Sequence, residues 1–289
     1  VLGRIMEALT SQDTPFKTQG FSLAGNKKIF EGLIQPDILS KNGVIRWDGY
    51  KDDARMKAAI DGLTSQKTPS IFAETYSALL EQSLATSESL GELLETVSVD
   101  TPFAPLEGDS LTEQFKQVAK VIKSRGARGD VERDVFFVRL GGFDTHSDLL
   151  AKVDTLFTIT DHALAQFEKE MKLLNLWDNV VVLEQSEFGR TLRANGAGTD
   201  HAWGGHAFLV GGKLKGAQIL GRYPDRIDND APLNVRTGGR FIPTTSWEAV
   251  WHGLSEWFGV DAERLGDVLP QMQNYPSGSM FKKEAMFDA

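Results

Sequence analysis

The apolar pattern of the chain changes at residues 123–130, a basic loop that contains glycine. Before this loop, apolar residues recur at helical spacing and are separated by long polar faces, which predicts a mainly helical part over residues 1–130. After it, short apolar runs alternate with helical patterns over residues 131–289, and this alternation favours a parallel or mixed sheet covered by helices. We therefore expect an α/β fold and treat residues 1–289 as one domain.

The front part carries three apolar stripes that we interpret as core faces of helices. They are Met56, Ala59, Ile60 and Leu63; Tyr76, Leu79, Leu80 and Leu84; and Leu111, Phe115, Val118 and Ile122. The stretch 19–48 is richer in Gly, Asn and Lys and is interpreted as an excursion or a lid. We therefore expect the functional residues to lie after residue 130.

Three strands are predicted there, at Val135–Leu140, Val180–Leu183 and Ala207–Val210. Ligands of open α/β sheets bind beyond the carboxyl ends of the strands, so the polar residues at those ends are candidates for a site. Asp144 and His146 follow the first strand, Glu187 and Arg190 follow the second, and Asp200, His201 and His206 lie just before or at the third.

Carboxylate and imidazole groups from separate loops are ligands typical of zinc, manganese or iron, and the carboxylates also suit magnesium or calcium. The chain has no cysteine, so the expected site uses only oxygen and imidazole ligands. Other interpretations stay open. The Asp-x-His pair is also typical of a turn that caps a helix, Glu187 could form an ion pair with Arg190, and the histidines of the glycine-rich segment 196–206 could be incidental.

Composition and motifs exclude several other classes of function. The net charge is −9, and no long basic run is present, so no nucleic-acid partner is expected. No apolar run reaches the roughly 18 residues of a transmembrane segment. The Gly-x-Ser-x-Gly motif of serine hydrolases is absent, and residues 211–214 lack the spacing and hydroxyl residue of a phosphate-binding loop.

Five motifs, dense from about residue 134 onward, carry a resemblance to a known family. They are Gly-Gly-Phe-Asp-Thr-His at 141–146, Ser-Glu-Phe-Gly-Arg-Thr at 186–191, Gly-Thr-Asp-His-Ala-Trp-Gly-Gly at 198–205, Gly-Gly-Lys-Leu-Lys-Gly at 211–216 and Gly-Arg-Phe-Ile-Pro-Thr-Thr at 239–245. In this combination the chain resembles the domain of unknown function 1501 family, which is related to the alkaline phosphatase and sulfatase superfamily. The resemblance implies a three-layer α/β/α sandwich that holds one or two metals at strand ends.

The same resemblance implies roles for individual residues. Asp144, His146 and His201 correspond to the ligands of one divalent metal, with zinc expected first and manganese, magnesium or calcium as alternatives. Glu187 corresponds to a carboxylate that serves a second metal. Asp200 and His206 correspond to supporting residues or alternative ligands, and Arg190 to a contact for an anionic oxygen. The implied activity is hydrolysis of a small phosphate or sulfate ester.

The front of the chain departs from the pattern of the family. Members usually begin with an export signal and a first strand that ends in Gly-Gly-x-Asp, and neither is found before residue 134. We therefore expect an N-terminally truncated fold that lacks its first strand or strands, with no identified nucleophile. The export signal of the family suggests a periplasmic or extracellular location. The alternative functions are a non-catalytic exported metal-binding or partner protein and an inactive fragment.

Overall fold

The computed structural model describes residues 1–44, 49–50, 53–235, 238–276 and 278–288. The α-helices are α1 (Leu2–Ser11), α2 (Ala54–Thr64), α3 (Ile71–Thr96), α4 (Ser110–Lys123), α5 (Leu149–Leu173), α6 (Trp247–Phe258), α7 (Leu265–Val268) and α8 (Lys283–Met286). The strands are β1 (Thr18–Ser22), β2 (Asp37–Ser40), β3 (Gly43–Val44), β4 (Arg133–Phe137), β5 (Val181–Leu183), β6 (Gly189–Ala194), β7 (Thr199–Ala202) and β8 (Leu209–Gly211). The fold is thus mixed α/β.

The main sheet has four strands in the order β3-β2-β1-β4. Strand β1 pairs in parallel with both β2 and β4, and β3 is antiparallel to β2 at the outer edge. Phe21 of β1 lies opposite Phe136 of β4, and the two rings stack with their centroids 5.4 Å apart. The predicted front and back parts of the chain therefore meet within one sheet.

The interpretation of residues 19–48 as an excursion or lid is wrong where β1, β2 and β3 form. Phe21 and Leu39 are almost completely buried in the core, and burial of such side chains favours pairing of this segment in the sheet. Residues 45–48 of the stretch lie outside the described residues.

Helices cover both faces of the main sheet. Successive residues of β4 point to opposite sides and therefore contact helices on different faces. Val135 and Phe137 pack in the cluster formed by α1 and α7, whereas Phe136 and Val138 pack in the cluster formed by α4 and α5. Of the three predicted core stripes, the one on α4 is confirmed, since Leu111, Phe115 and Val118 are all buried. No helix within the described ranges is both long and apolar enough to cross a membrane.

The core interpretation is wrong for most of α2 and for the first half of α3. Tyr76 and Leu79 expose 69% and 59% of their surface, and Met56 and Leu63 are exposed as well. Ile60 and Leu84 are buried, with Tyr50, in a small cluster of their own. Helices α2 and α3 contact each other around this small cluster, and the exposed apolar side chains of the two stripes lie outside it.

The back half has two further strand pairs, and both are antiparallel. Strand β5 matches the second predicted strand within one residue. It pairs with β8, which overlaps the third predicted strand but starts two residues later and ends one residue later. Strands β6 and β7 form a hairpin in a region expected to be loop. This hairpin, together with the loop that follows β4, carries the candidate site.

Candidate metal site

The loop that follows β4 directs alternate side chains in opposite directions. Thr145 is buried, and its backbone N–H donates to the carbonyl of Phe143 at 2.9 Å. Asp144 and His146, on either side of Thr145, are exposed. The loop thus points Thr145 inward and presents a carboxylate and an imidazole on the outside.

The hairpin of β6 and β7 supplies the second set of side chains. Arg190 lies opposite His201 in the register, so the two side chains share one face of the hairpin. The turn between β6 and β7 is closed by a hydrogen bond from the N–H of Asn195 to the carbonyl of Gly198 at 2.9 Å. Gly196 has φ of 113° in that turn, a value that favours glycine over any other residue.

Backbone hydrogen bonds dock the tip of the hairpin onto the loop after β4. The N–H of Thr199 donates to the carbonyl of Thr145 at 3.1 Å, and the N–H of Leu149 donates to the carbonyl of Ala197 at 3.2 Å. A side chain on Gly198 would overlap the backbone of His146 and the carbonyl of Thr145. Glycine at position 198 therefore permits the close approach that brings His146 and His201 together.

One carboxylate oxygen and two imidazole nitrogens converge at this junction. Oδ1 of Asp144 lies 2.8 Å from Nε2 of His201 and 3.0 Å from Nε2 of His146, and the two nitrogens are 3.3 Å apart. All three atoms lie within 4.8 Å of one another, and this is the only such group of three or more potential ligands within the described ranges. Adjacent ligands of a tetrahedral zinc ion with bonds of about 2.0 Å are about 3.3 Å apart, which is the separation of the two nitrogens. The two oxygen–nitrogen distances are shorter, so the donor set fits such an ion once the carboxylate oxygen moves slightly away from the rings.

The electrostatics of the group favour an ionised carboxylate. The hydrogen bond from His201 to Asp144, reinforced by one from Arg190, holds the pKa of the Asp144 carboxyl below its usual value. Asp144 is therefore ionised at neutral pH and offers an anionic oxygen. Without an ion, the Nε2 atoms of both imidazoles can donate to this anionic oxygen, whereas a bound cation would take a lone pair from each of the three atoms.

Arg190 links Asp144 to Thr199 of β7 by hydrogen bonds. Its Nη1 donates to Oδ1 of Asp144 at 2.8 Å, its Nε donates to Oγ1 of Thr199 at 2.9 Å, and its Nη2 donates to the carbonyl of Thr199. Arg190 thus pairs with Asp144 rather than with Glu187, the ion pair considered from the sequence. Its guanidinium fixes the carboxylate relative to β7.

The other candidate residues lie outside the three-atom group. Asp200 has its Oδ1 3.8 Å from Nδ1 of His146, on the side away from Asp144. Glu187 and His206 are exposed, and the ring of His206 stacks on that of Tyr223 with centroids 5.4 Å apart. Their roles as metal ligands remain predictions from the sequence.

Sequence reasoning missed the hairpin itself, and with it the contributions of Thr199, Gly198 and Phe188. The ring of Phe188 lies 4.3 Å from that of His201 and packs against it. The dipeptide Asn195-Gly196 was the available signal, because Asn-Gly is a strong indicator of a tight hairpin turn.

A family model described as "Protein of unknown function (DUF1501)" matches residues 14–237. This range includes β1 to β4, α5 and the β6–β7 hairpin, and therefore Asp144, His146 and His201. Neither a curated protein nor a solved structure matches the chain.

Proposed function

The chain belongs to the DUF1501 family, and from that premise we propose that it is a metal-dependent hydrolase of phosphate or sulfate esters. The observation that carries the proposal is the convergence of Asp144, His146 and His201, whose ligand atoms lie within 4.8 Å of one another. Two imidazoles and one carboxylate are a ligand set of hydrolytic zinc sites, which leave a further coordination position open. When bound, a divalent ion would polarise an ester oxygen and lower the pKa of a water molecule.

The charges around the group support an anionic substrate. The positive charge of Arg190 offsets the negative charge of Asp144, and the two side chains form an ion pair at 2.8 Å. With neutral imidazoles, a bound divalent ion would therefore keep its full charge toward an incoming ligand, which favours an anion. The three ligands are exposed, so an ester could reach them without a change in the fold.

The kinship to the alkaline phosphatase and sulfatase superfamily, with its three-layer sandwich, is part of this proposal. Two features support it. Helices pack on both faces of a largely parallel sheet, and Asp144 and His146 follow the carboxyl end of β4 in that sheet. The nucleophile is not assigned to a residue of this chain.

Metal binding and hydrolysis are tested together on the purified chain. We expect elemental analysis and calorimetric titration with zinc, manganese, magnesium and calcium to give about one tightly bound ion per chain, and aryl phosphate or aryl sulfate to be hydrolysed only with the ion present. Asp144→Ala removes one of the three ligands, so stoichiometric binding and turnover are both expected to be lost.

Asp225→Ala is the matched control, because Asp225 is also an exposed aspartate paired with an arginine, Arg222, outside the site. It is expected to bind the ion and turn over ester as the unmodified chain does. The proposal would be overturned if the unmodified chain bound no divalent ion, or if Asp144→Ala bound the ion and turned over ester as well as the unmodified chain.

A second candidate is a metal-binding protein without hydrolytic activity. It is favoured by the position of Glu187, since the expected ligand for a second metal lies outside the group formed by Asp144, His146 and His201. The same experiment separates the two functions. Stoichiometric metal binding with no turnover of either ester class would support the binding protein and contradict the hydrolase.

A further inference from the structure

We propose that Asp200 is a positioning residue that orients the imidazole of His146 toward the metal, an inference that rests on the metal site proposed above. His146 presents its two ring nitrogens to different carboxylates. Its Nε2 lies 3.0 Å from Oδ1 of Asp144, within the ligand group, and its Nδ1 lies 3.8 Å from Oδ1 of Asp200. Asp200 thus stands behind the ring, on the side opposite to the ligand group.

The carboxylate of Asp200 is held in place by partners other than His146. Nδ2 of Asn195 donates to its Oδ1 at 2.6 Å, and Nη2 of Arg240 pairs with its Oδ2 at 3.3 Å. Its backbone N–H donates to Oγ1 of Thr191, a buried residue of β6, at 3.0 Å. An acceptor fixed in this way can set the orientation of a neighbouring ring.

The chemistry of a ligating imidazole requires such an acceptor. A neutral histidine that binds a metal through Nε2 carries its proton on Nδ1, and that proton is usually donated to a carboxylate, a carbonyl or water. The present 3.8 Å separation of Nδ1 and Oδ1 is too long for a hydrogen bond. Metal coordination at Nε2 withdraws electron density from the ring and strengthens Nδ1–H as a donor, so we expect the pair to close when the ion binds.

Arg240, which holds Asp200, also contacts His201. Nε of Arg240 donates to the backbone carbonyl of His201 at 3.2 Å, while its Nη2 holds Asp200. The ring of His201 is itself packed against Phe188. Arg240 therefore connects the side chain behind His146 to the backbone that carries His201, and the two ligands are held by one network.

The test measures zinc affinity by competition with a chelating dye, on the full chain and its variants. We expect Asp200→Ala to raise the dissociation constant about 10- to 100-fold, which is the usual effect of removing such a carboxylate. Asp200→Asn keeps an acceptor oxygen without the charge, so its dissociation constant is expected to lie between those of the unmodified chain and Asp200→Ala. The control is Asp228→Asn, because Asp228 is likewise paired with an arginine, Arg226, but lies outside the site.

A readout beyond affinity separates positioning from a general loss of structure. In the zinc-bound chain, the Nδ1 proton of His146 is expected to be visible by NMR of the imidazole and protected from exchange. This protection is expected to be lost in Asp200→Ala, with the melting temperature of the metal-free protein unchanged. Asp200→Asn provides the same measurements should the alanine variant fold poorly.

The outcomes separate the two proposals. If the unmodified chain binds no zinc, the metal site itself is refuted. If it binds zinc and Asp200→Ala binds equally well, the positioning role is refuted and the metal site stands. A weaker affinity with an unchanged Nδ1 signal would assign the effect to the hairpin and would likewise overturn the positioning role.

Discussion

Gly198 sets the distance between the hairpin turn and the loop that carries His146. A methyl group at this position would overlap the backbone of His146, which cannot rotate away as a flexible side chain could. We therefore expect Gly198→Ala to separate the loop from the hairpin, to cost about 1–3 kcal/mol of the free energy of unfolding, and to weaken zinc binding. Urea denaturation measures the free energy of unfolding, and competition with a chelating dye measures the zinc affinity.

Gly216→Ala is the control for this substitution, because a Cβ at residue 216 would meet no atom within 4 Å. It is expected to leave both stability and zinc affinity nearly unchanged. If Gly198→Ala behaved like Gly216→Ala, the close approach would not matter to the site.

Asp144, His146 and His201 were all candidate site residues from their residue types and their places near strand ends. Residue types alone did not separate them from Glu187 and His206; the family resemblance did, whereas the contacts that bring the three together depend on tertiary pairing. Pairing of β6 with β7 sets Arg190 beside His201, and docking of Thr199 on Thr145 brings His146 to them. Neither contact leaves a trace in local periodicity.

Glu170 of α5 fixes the segment that precedes α4. This fully buried carboxylate accepts hydrogen bonds from the backbone N–H groups of Asp100 and Thr101, the shortest at 2.7 Å. We expect Glu170→Ala to leave buried donors without an acceptor and to lower the free energy of unfolding by about 1–3 kcal/mol. Denaturation in urea measures the change.

Glu168→Ala provides the comparison on the same helix. Glu168 is exposed and pairs with Lys172 one turn later, an interaction of the kind worth about 0.3–0.5 kcal/mol. Equal losses for the two variants would show that the buried carboxylate contributes no more than a surface ion pair.

At the level of elements, helical periodicity predicted the helices well and their surroundings less well. The stripes on α2 and α4 look alike in the sequence, yet Leu111 and Phe115 are buried and Met56 and Leu63 are exposed. An apolar stripe shows only which face of a helix prefers contact. What covers that face is decided by the arrangement of distant elements, and the short strands β1 and β2 were missed for the same reason.

For the whole molecule, the uncovered apolar side chains of α3 have a measurable consequence. Phe72 and Leu79 expose 85% and 59% of their surface, and both lie on the half of the helix that precedes the buried Leu84. Exposed apolar groups of this kind bind hydrophobic dyes. We expect the folded chain to enhance the fluorescence of such a dye, and the double variant Phe72→Ser, Leu79→Ser to reduce the enhancement without lowering the melting temperature.

The matched control for this surface is Leu84→Ser. Leu84 lies on the same helix but is buried with Ile60 and Tyr50, so its replacement is expected to lower the melting temperature. Dye binding that did not change in the double variant would place the responsible surface elsewhere on the molecule.

A metal ion bound at the junction of loop and hairpin would act in this cysteine-free chain as a disulfide does in others. An ion held by His146 and His201 would join two segments that are 55 residues apart in the sequence. Its stabilising effect would follow the concentration of free metal, reaching about 2.7 kcal/mol at 100 times the dissociation constant. Unlike a disulfide, this cross-link would be insensitive to reductants and reversible by chelators, so metal supply would set the thermal stability of the protein.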